Sequence, residues 1–337
     1  MKKTIRIKDA LCALGAVAIS CACLAGRSTI NVAEQHGLQV AITFDDLPGV
    51  TPATPGKPGV LANLQRYNQL IAEMLRAHHV PAIGFVNEMD LQVAGERDAR
   101  AALLQKWIDA GLDLGNHTYS HADFDRVSLQ EMEDETIRGE AVTKALLAAA
   151  GKRLQYFRYP YLFSGPTAEV KEAFEAFLKS RGYENAPVTV DNADYVFNDV
   201  LNSAIAANDA ALAEQTKREY LKFVETEFDY FEAGSRKLFQ REIAQVFLLH
   251  DNEINTQTLG TILSNLEKRG YQFISLHAAL ADPAYATPDR FVGTAGISWI
   301  DRWRVFFGQK ADWEHDPDPP DWVLKRFQEI RKAAANQ

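Results

Sequence analysis

The sequence predicts an α/β fold with a mostly parallel sheet, and three observations carry that reading. Short apolar runs alternate with longer segments of helical period from Leu38 to Leu276. Glycines and capping residues fall at the boundaries between them. Polar residues able to do chemistry repeatedly follow the apolar runs, as they would at the rim where parallel strands end. Seven strands, most of them separated by helices, point to a (β/α) barrel, although an open doubly wound sheet would read alike. No internal repeat at a fixed period is present.

In chain order, Leu38 to Phe44 reads as a buried strand and Leu61 to His79 as an amphipathic helix. Val80 to Val86 is the next strand, and Glu96 to Ala110 the next helix, closed by Gly111. Leu112 to Gly115 is a short strand. A single helix is expected from Ser128 to Ala150, because Ser128 and Glu131 form a capping-box pattern and Gly151 supplies a stop. Strands are expected at Leu154 to Arg158, Ala186 to Val190, Gln245 to His250 and Tyr271 to Leu276, with helices near 166–181 and 257–269. Two segments depart from the rhythm: a helical insertion at 199–240, and a Trp- and Pro-rich extension at 282–337 expected to pack on the barrel. The domain between them and the N-terminus is expected to span 37–281. Leu47 to Val60 holds Pro48, Pro52, Pro55 and Pro58 and cannot be regular structure.

Composition excludes several classes. With 47% hydrophobic and 24% charged residues the chain reads as globular rather than disordered, collagen-like or multi-spanning. A net charge of −9 without a Lys/Arg cluster argues against binding nucleic acid through its phosphates. The three cysteines, Cys12, Cys21 and Cys23, lie in a stretch with a basic start and a short apolar centre, expected to be a signal peptide over residues 1–25. Its loss would leave a cysteine-free chain of charge about −12, exported to the periplasm or beyond, with no spanning segment. Ala18-Ile-Ser-Cys21 is a loose lipobox and keeps a lipid anchor on Cys21 open.

The chemistry lies at the strand ends. Asp45 and Asp46 follow the first strand, His117 and His121 the third, Arg158 ends the fourth, Asp191 and Asp194 follow the fifth, and His250 ends the sixth. Two imidazoles at i and i+4 with one carboxylate make a ligand set with open positions, suited to a divalent ion acting on water. Spacing alone leaves the pair open between a metal site and a polar turn. Adjacent residues at a strand end point opposite ways, so one of Asp45 and Asp46 could bind metal while the other serves as a base.

Thr43-Phe-Asp-Asp46, His117-Thr-Tyr-Ser-His121, Arg158-Tyr-Pro-Tyr161, Asp191-Asn-Ala-Asp194-Tyr195 and Leu248-Leu-His250 resemble the five ordered motifs of the polysaccharide deacetylases, the NodB-homology enzymes of carbohydrate esterase family 4. The resemblance implies a distorted (β/α) barrel and a divalent metal on Asp46, His117 and His121, Zn²⁺ first, with Co²⁺, Ni²⁺ and Mn²⁺ as alternatives. By the same resemblance Asp45 is the general base, held by Arg158, and His250 the general acid, tuned by Asp194. The Tyr161 backbone N–H would help bind the oxyanion. Leu47-Pro48 replaces the family's Gly-Pro, and Tyr195 stands where many relatives carry Trp, on the wall of the acetyl pocket.

The expected activity is therefore removal of N-acetyl or O-acetyl groups from an acetylated glycan, with no protein partner evident. Three alternatives stand beside it: a metal-dependent amidase or imidase on a small non-sugar substrate, an inactive saccharide-binding protein, and a structural envelope protein. A small-substrate site would be closed over by its loops, whereas a polymer needs an open groove. His78 and His79 are expected to be structural, and His36, His277 and His315 to have surface or packing roles. Tyr220, Phe223, Phe228 and Phe231 approximate helical spacing and read as a packing face.

Overall fold

The computed structural model describes residues 37–53, 55–293, 296–311 and 313–335; the expected signal peptide and Cys21 lie outside them. The elements in chain order are β1 (Gln39–Leu47), α1 (Val60–Ala77), β2 (Ile83–Val86), α2 (Arg97–Asp109), β3 (Asp113–Asn116), α3 (Leu129–Arg138), α4 (Ala141–Ala149), β4 (Tyr156–Phe157) and α5 (Ala168–Ser180). They continue with β5 (Glu184–Asn185), α6 (Asp194–Ala206), α7 (Ala210–Phe239), β6 (Gln245–His250), α8 (Glu253–Lys268), β7 (Gln272–Phe273), α9 (Leu276–Leu280), α10 (Trp299–Phe306) and α11 (Asp321–Ala335).

Every strand pair is parallel, and the order is β5-β4-β3-β2-β1-β6, with β7 also pairing β1. Val40, Ile42 and Phe44 of β1 face one apolar cluster and Ala41 another, so both faces of the central strand are covered, as a parallel sheet requires. After β5 the chain reaches the opposite edge almost at once. Asn185 pairs with Phe157, yet Val190 already bridges Phe247 of β6. Five extended residues span at most about 18 Å, so the two edges of the sheet lie close together and the sheet must curl. The fold is a distorted (β/α) barrel.

Two expected elements are corrected. The fifth strand was expected at 186–190, but the laddered pair is Glu184–Asn185, and 186–190 joins β6 by a single bridge. Pro187 has no N–H to give, and a ladder cannot run through it. The expected helix 128–150 is two helices that part at Gly139 and Glu140. Its start is as expected: Ser128 and Glu131 cap each other reciprocally. The glycine at the break has a tertiary reason, because a Cβ at position 139 would lie 2.5 Å from the Thr118 carbonyl carbon. The strand-end loop that carries His117 and His121 is pressed against this glycine.

The helices of the insertion begin at Asp194 rather than 199, so its first turn carries Asp194 and Tyr195. Tyr220, Phe223, Phe228 and Phe231 are all buried on α7. Trp299 and Trp303 of α10 are buried and Trp322 of α11 packs against the same core, while Trp313 is 43% exposed, so the C-terminal segment docks through three of its tryptophans. Arg302, fully buried, donates through Nη1 to Ser164 Oγ (2.8 Å) and Asp289 Oδ2 (3.0 Å) and through Nη2 to the Leu162 carbonyl. It lies over the Trp299 ring at 4.1 Å. Among the described residues no helix is long and apolar enough to cross a membrane.

Gly139→Ala is expected to cost roughly 1–3 kcal/mol, the usual range for overpacking, and urea unfolding measures it. An unchanged midpoint would contradict the close approach of the His loop to this helix.

Candidate active site

All the strand-end residues named above converge on one rim. Asp45 and Asp46 lie in the last third of β1, His117 follows β3, Arg158 follows β4, and His250 is the last residue of β6. Asp194 is the first residue of α6. The register places Asp45 beside His250 across the β1–β6 pair.

The adjacent aspartates diverge by more than strand alternation. Asp46 has φ 62°, in the left-handed region, and the β1–β2 register shifts between Phe44 and Leu47. Asp45 is buried beside Arg158, whose Nη1 reaches its Oδ1 and Oδ2 at 3.2 and 3.3 Å. Asp46 turns to the imidazoles: its Oδ1 is 3.6 Å from His117 Nε2 and 3.5 Å from His121 Nε2. Asp45 Oδ2 is nearly as close to His117, at 3.7 Å. What separates the two is His121, which only Asp46 meets, and Arg158, which only Asp45 meets.

One oxygen each from Asp46 and one nitrogen from His117 and from His121 lie within 4.8 Å of one another. Asp46 Oδ1 is buried without a hydrogen-bond partner, which is how a carboxylate aimed at a cation would stand. His117 donates through Nδ1 to the Arg158 carbonyl (2.8 Å), which leaves Nε2 available to a cation. Burial holds the His117 imidazole down to about 4, so it stays neutral. Burial also opposes charge on Asp46, but His121, His250 and His117 outweigh it and hold the carboxyl below its ordinary range. The donor set fits a divalent cation.

The His loop is fixed from behind. Thr118 N donates to Asn116 Oδ1 (2.8 Å), Tyr119 N to the Glu135 carbonyl (3.0 Å) and Ser120 N to Glu135 Oε2 (2.7 Å). Thr118 and His121 have φ of 68° and 56°, and Tyr161 and Leu162 across the cleft have 54° and 56°. Left-handed non-glycine residues cost of order 1–3 kcal/mol each and persist where surroundings over-determine them. Here they surround one ligand set.

Beside the aspartates, at the end of β6, His250 Nδ1 bonds Asp194 Oδ1 at 2.7 Å, and its backbone N donates to Asp194 Oδ2 at 2.8 Å. The other ring nitrogen then faces Asp46 Oδ2 at 3.8 Å. Burial disfavours the imidazolium, but the Asp194 carboxylate prevails and raises His250 to about 10. The cleft between them has a volume of about 640 Å³ and is lined by Asp45, Asp46, His121, Tyr161, Tyr195 and His250 among others. Tyr161 and Tyr195 are 52% and 48% exposed, so it stays open to solvent. Tyr195 meets Phe327 of α11 edge-on at 5.9 Å, and Arg331 of the same helix reaches Asp199 at 2.9 Å.

Three residues of this neighbourhood escaped the sequence. Asn255 donates to Asp194 Oδ2 (2.6 Å), and Tyr220 donates to Asn255 Oδ1 (2.8 Å). Asn255 carried one signal, since Asn252 caps α8 by accepting from its backbone N–H. Asp251 is fully buried with neither carboxyl oxygen bonded, and burial pushes it well above its ordinary value.

Residues 33–182 match the family model described as polysaccharide deacetylase, which bears out the resemblance read from the motifs. Solved structures similar to the chain include a CE4 family pseudoenzyme from Bacillus anthracis, 18% identical, covering 73% of this chain and 66% of that one at a TM-score of 0.47. The peptidoglycan deacetylase PdaC from Bacillus subtilis is 18% identical over 73% of this chain and 91% of its own, at 0.44. A T48 deacetylase solved with substrate is 21% identical over 73% and 92%, at 0.45.

Two outcomes are expected. A divalent ion at 100 times its dissociation constant should stabilise the metal-free protein by about 2.7 kcal/mol, and His121→Ala should abolish that gain in calorimetry. An equal gain in the variant would remove His121 from the set. The second concerns Asp251, which keeps its proton when folded and releases it near pH 3.9 when unfolded. Wild-type stability should fall relative to Asp251→Asn as the pH rises above about 4, by up to about 1.4 kcal/mol per pH unit while the folded carboxyl keeps its proton. Parallel urea-melt curves for the two proteins between pH 4 and 7 would contradict a buried neutral acid.

Proposed function

We propose that this chain, whose residues 33–182 carry the polysaccharide deacetylase match, is an exported metal-dependent hydrolase that removes acetyl groups from a polysaccharide or oligosaccharide. One observation supports it above the rest. Asp45 is tied to Arg158, Asp46 alone of the two aspartates reaches both His117 and His121, and His250 on the neighbouring strand is tied to Asp194. A base candidate and an acid candidate, each held by its own partner, thus stand beside one ligand set, as hydrolysis of an amide or ester needs.

Asp46, His117 and His121 would hold the ion, with Zn²⁺ the leading choice for two imidazoles and a carboxylate. When bound, its contribution is Lewis acidity toward the acetyl carbonyl and the attacking water. Asp45, held in place by Arg158, accepts the water's proton. The Tyr161 backbone N–H donates to the oxygen that becomes negative in the tetrahedral state. His250 keeps a proton on its outer nitrogen at neutral pH, since Asp194 raises it to about 10, and delivers it to the departing amine or alcohol. Tyr161 and Tyr195, both half-exposed, flank the cleft as faces for sugar rings. That open cleft favours a glycan over a small amide, whose site would be closed.

The test is acetate release from a panel of N- and O-acetylated glycans by metal-loaded and stripped protein. Asp45→Asn should keep the metal while kcat falls about 10²–10⁴-fold, the range for loss of a general base. Asp46→Asn should lose metal instead. The reverse pattern in metal content would exchange the two roles, and no acetate from any glycan would overturn the reading.

A further inference from the structure

We infer that Tyr220, on the long insertion helix α7, is a positioning residue for His250: it fixes the amide of Asn255, and Asn255 aims Asp194 at the imidazole. The hydrogen bonds form a directed chain. Asn192 Nδ2 donates to Tyr220 Oη at 2.9 Å, so the hydroxyl proton is free for the other side. There Tyr220 donates to Asn255 Oδ1 at 2.8 Å. The amide's Nδ2 then donates to Asp194 Oδ2 at 2.6 Å and to the His250 carbonyl at 2.9 Å.

Orientation is the point. Both neighbours of Asn255 Nδ2 are acceptors, so a flipped amide would set its oxygen against a carboxylate and a carbonyl. Tyr220, a donor at the other end, is what makes the flip costly. Tyr220, Asn255 and Asp194 are all fully buried, so water cannot replace the lost donor cheaply. Burial also pushes the Tyr220 phenol well above its ordinary value and keeps its proton in place. The chain starts at Asn192, which lines the catalytic cleft, and ends at the ring that faces it. A residue whose spacing marks it as packing therefore acts on the site through its hydroxyl.

Tyr220→Phe keeps the ring against Phe197 and removes one oxygen. In the metal-free and metal-loaded protein, the downfield proton resonance of the His250 Nδ1–Asp194 bond should shift or broaden. On the deacetylase reading, on which the kinetic arm rests, kcat should fall about 2- to 10-fold, the scale of one buried hydrogen bond, with KM unchanged. Adding Tyr220→Phe to Asn255→Ala should cost nothing further, because the two act in series. An unmoved resonance, an effect on KM alone, or losses that multiply in the double variant would each overturn the assignment. If no glycan yields acetate, the deacetylase reading fails while the resonance still decides the positioning role.

Discussion

The site depends on one buried guanidinium. Arg158, fully buried, donates through Nε to the Ala186 carbonyl (2.6 Å), through Nη1 to Asp45 and through Nη2 to Thr43 Oγ1 (3.2 Å). It lies 4.6 Å over the Phe85 ring, and its own carbonyl accepts from His117 Nδ1. Those contacts join β1, β2, the segment after β5 and the His loop around one charge. Removing one partner of such a buried pair costs about 3–5 kcal/mol, because the other charge is stranded. The same pairing holds the Asp45 carboxylate toward the guanidinium, while Asp46 alone of the two aspartates meets both His117 and His121.

From that pairing the division of labour between neighbouring aspartates follows. In ordinary strand geometry the two carboxylates would point to opposite faces; the left-handed turn at Asp46 instead brings it to His117 and His121 at the rim. The strain is met by the turn that follows, where Gly49 N donates to the Asp46 carbonyl at 2.8 Å. Backbone geometry and electrostatics thus sort two identical side chains into two environments.

The alternation of strand and helix, the converging rim and the His pair were legible because they follow from local periodicity and strand ends. What was not legible arises from contacts distant in sequence. Gly139 sits at the break between α3 and α4, where Thr118 lies too close to admit a Cβ. Pro187 thins a strand that hydrophobicity alone would extend. Tyr220 has the spacing of a packing residue and is one, but its hydroxyl meets Asn255, 35 residues away, and no pattern on α7 announces that. The insertion and the C-terminal segment each reach the cleft, through Tyr195 on α6 and Arg331 on α11, only once the barrel has folded.

The central claim is that Arg158 assigns Asp45 to proton transfer and leaves Asp46 to the metal. The most direct measurement is a crystal structure of the metal-loaded protein, with the ion located by its anomalous signal. The account predicts an ion in contact with Asp46, His117 and His121, with Asp45 outside the ligands and still paired to Arg158. An ion bound by Asp45, or one that draws Asp45 away from Arg158, would contradict it.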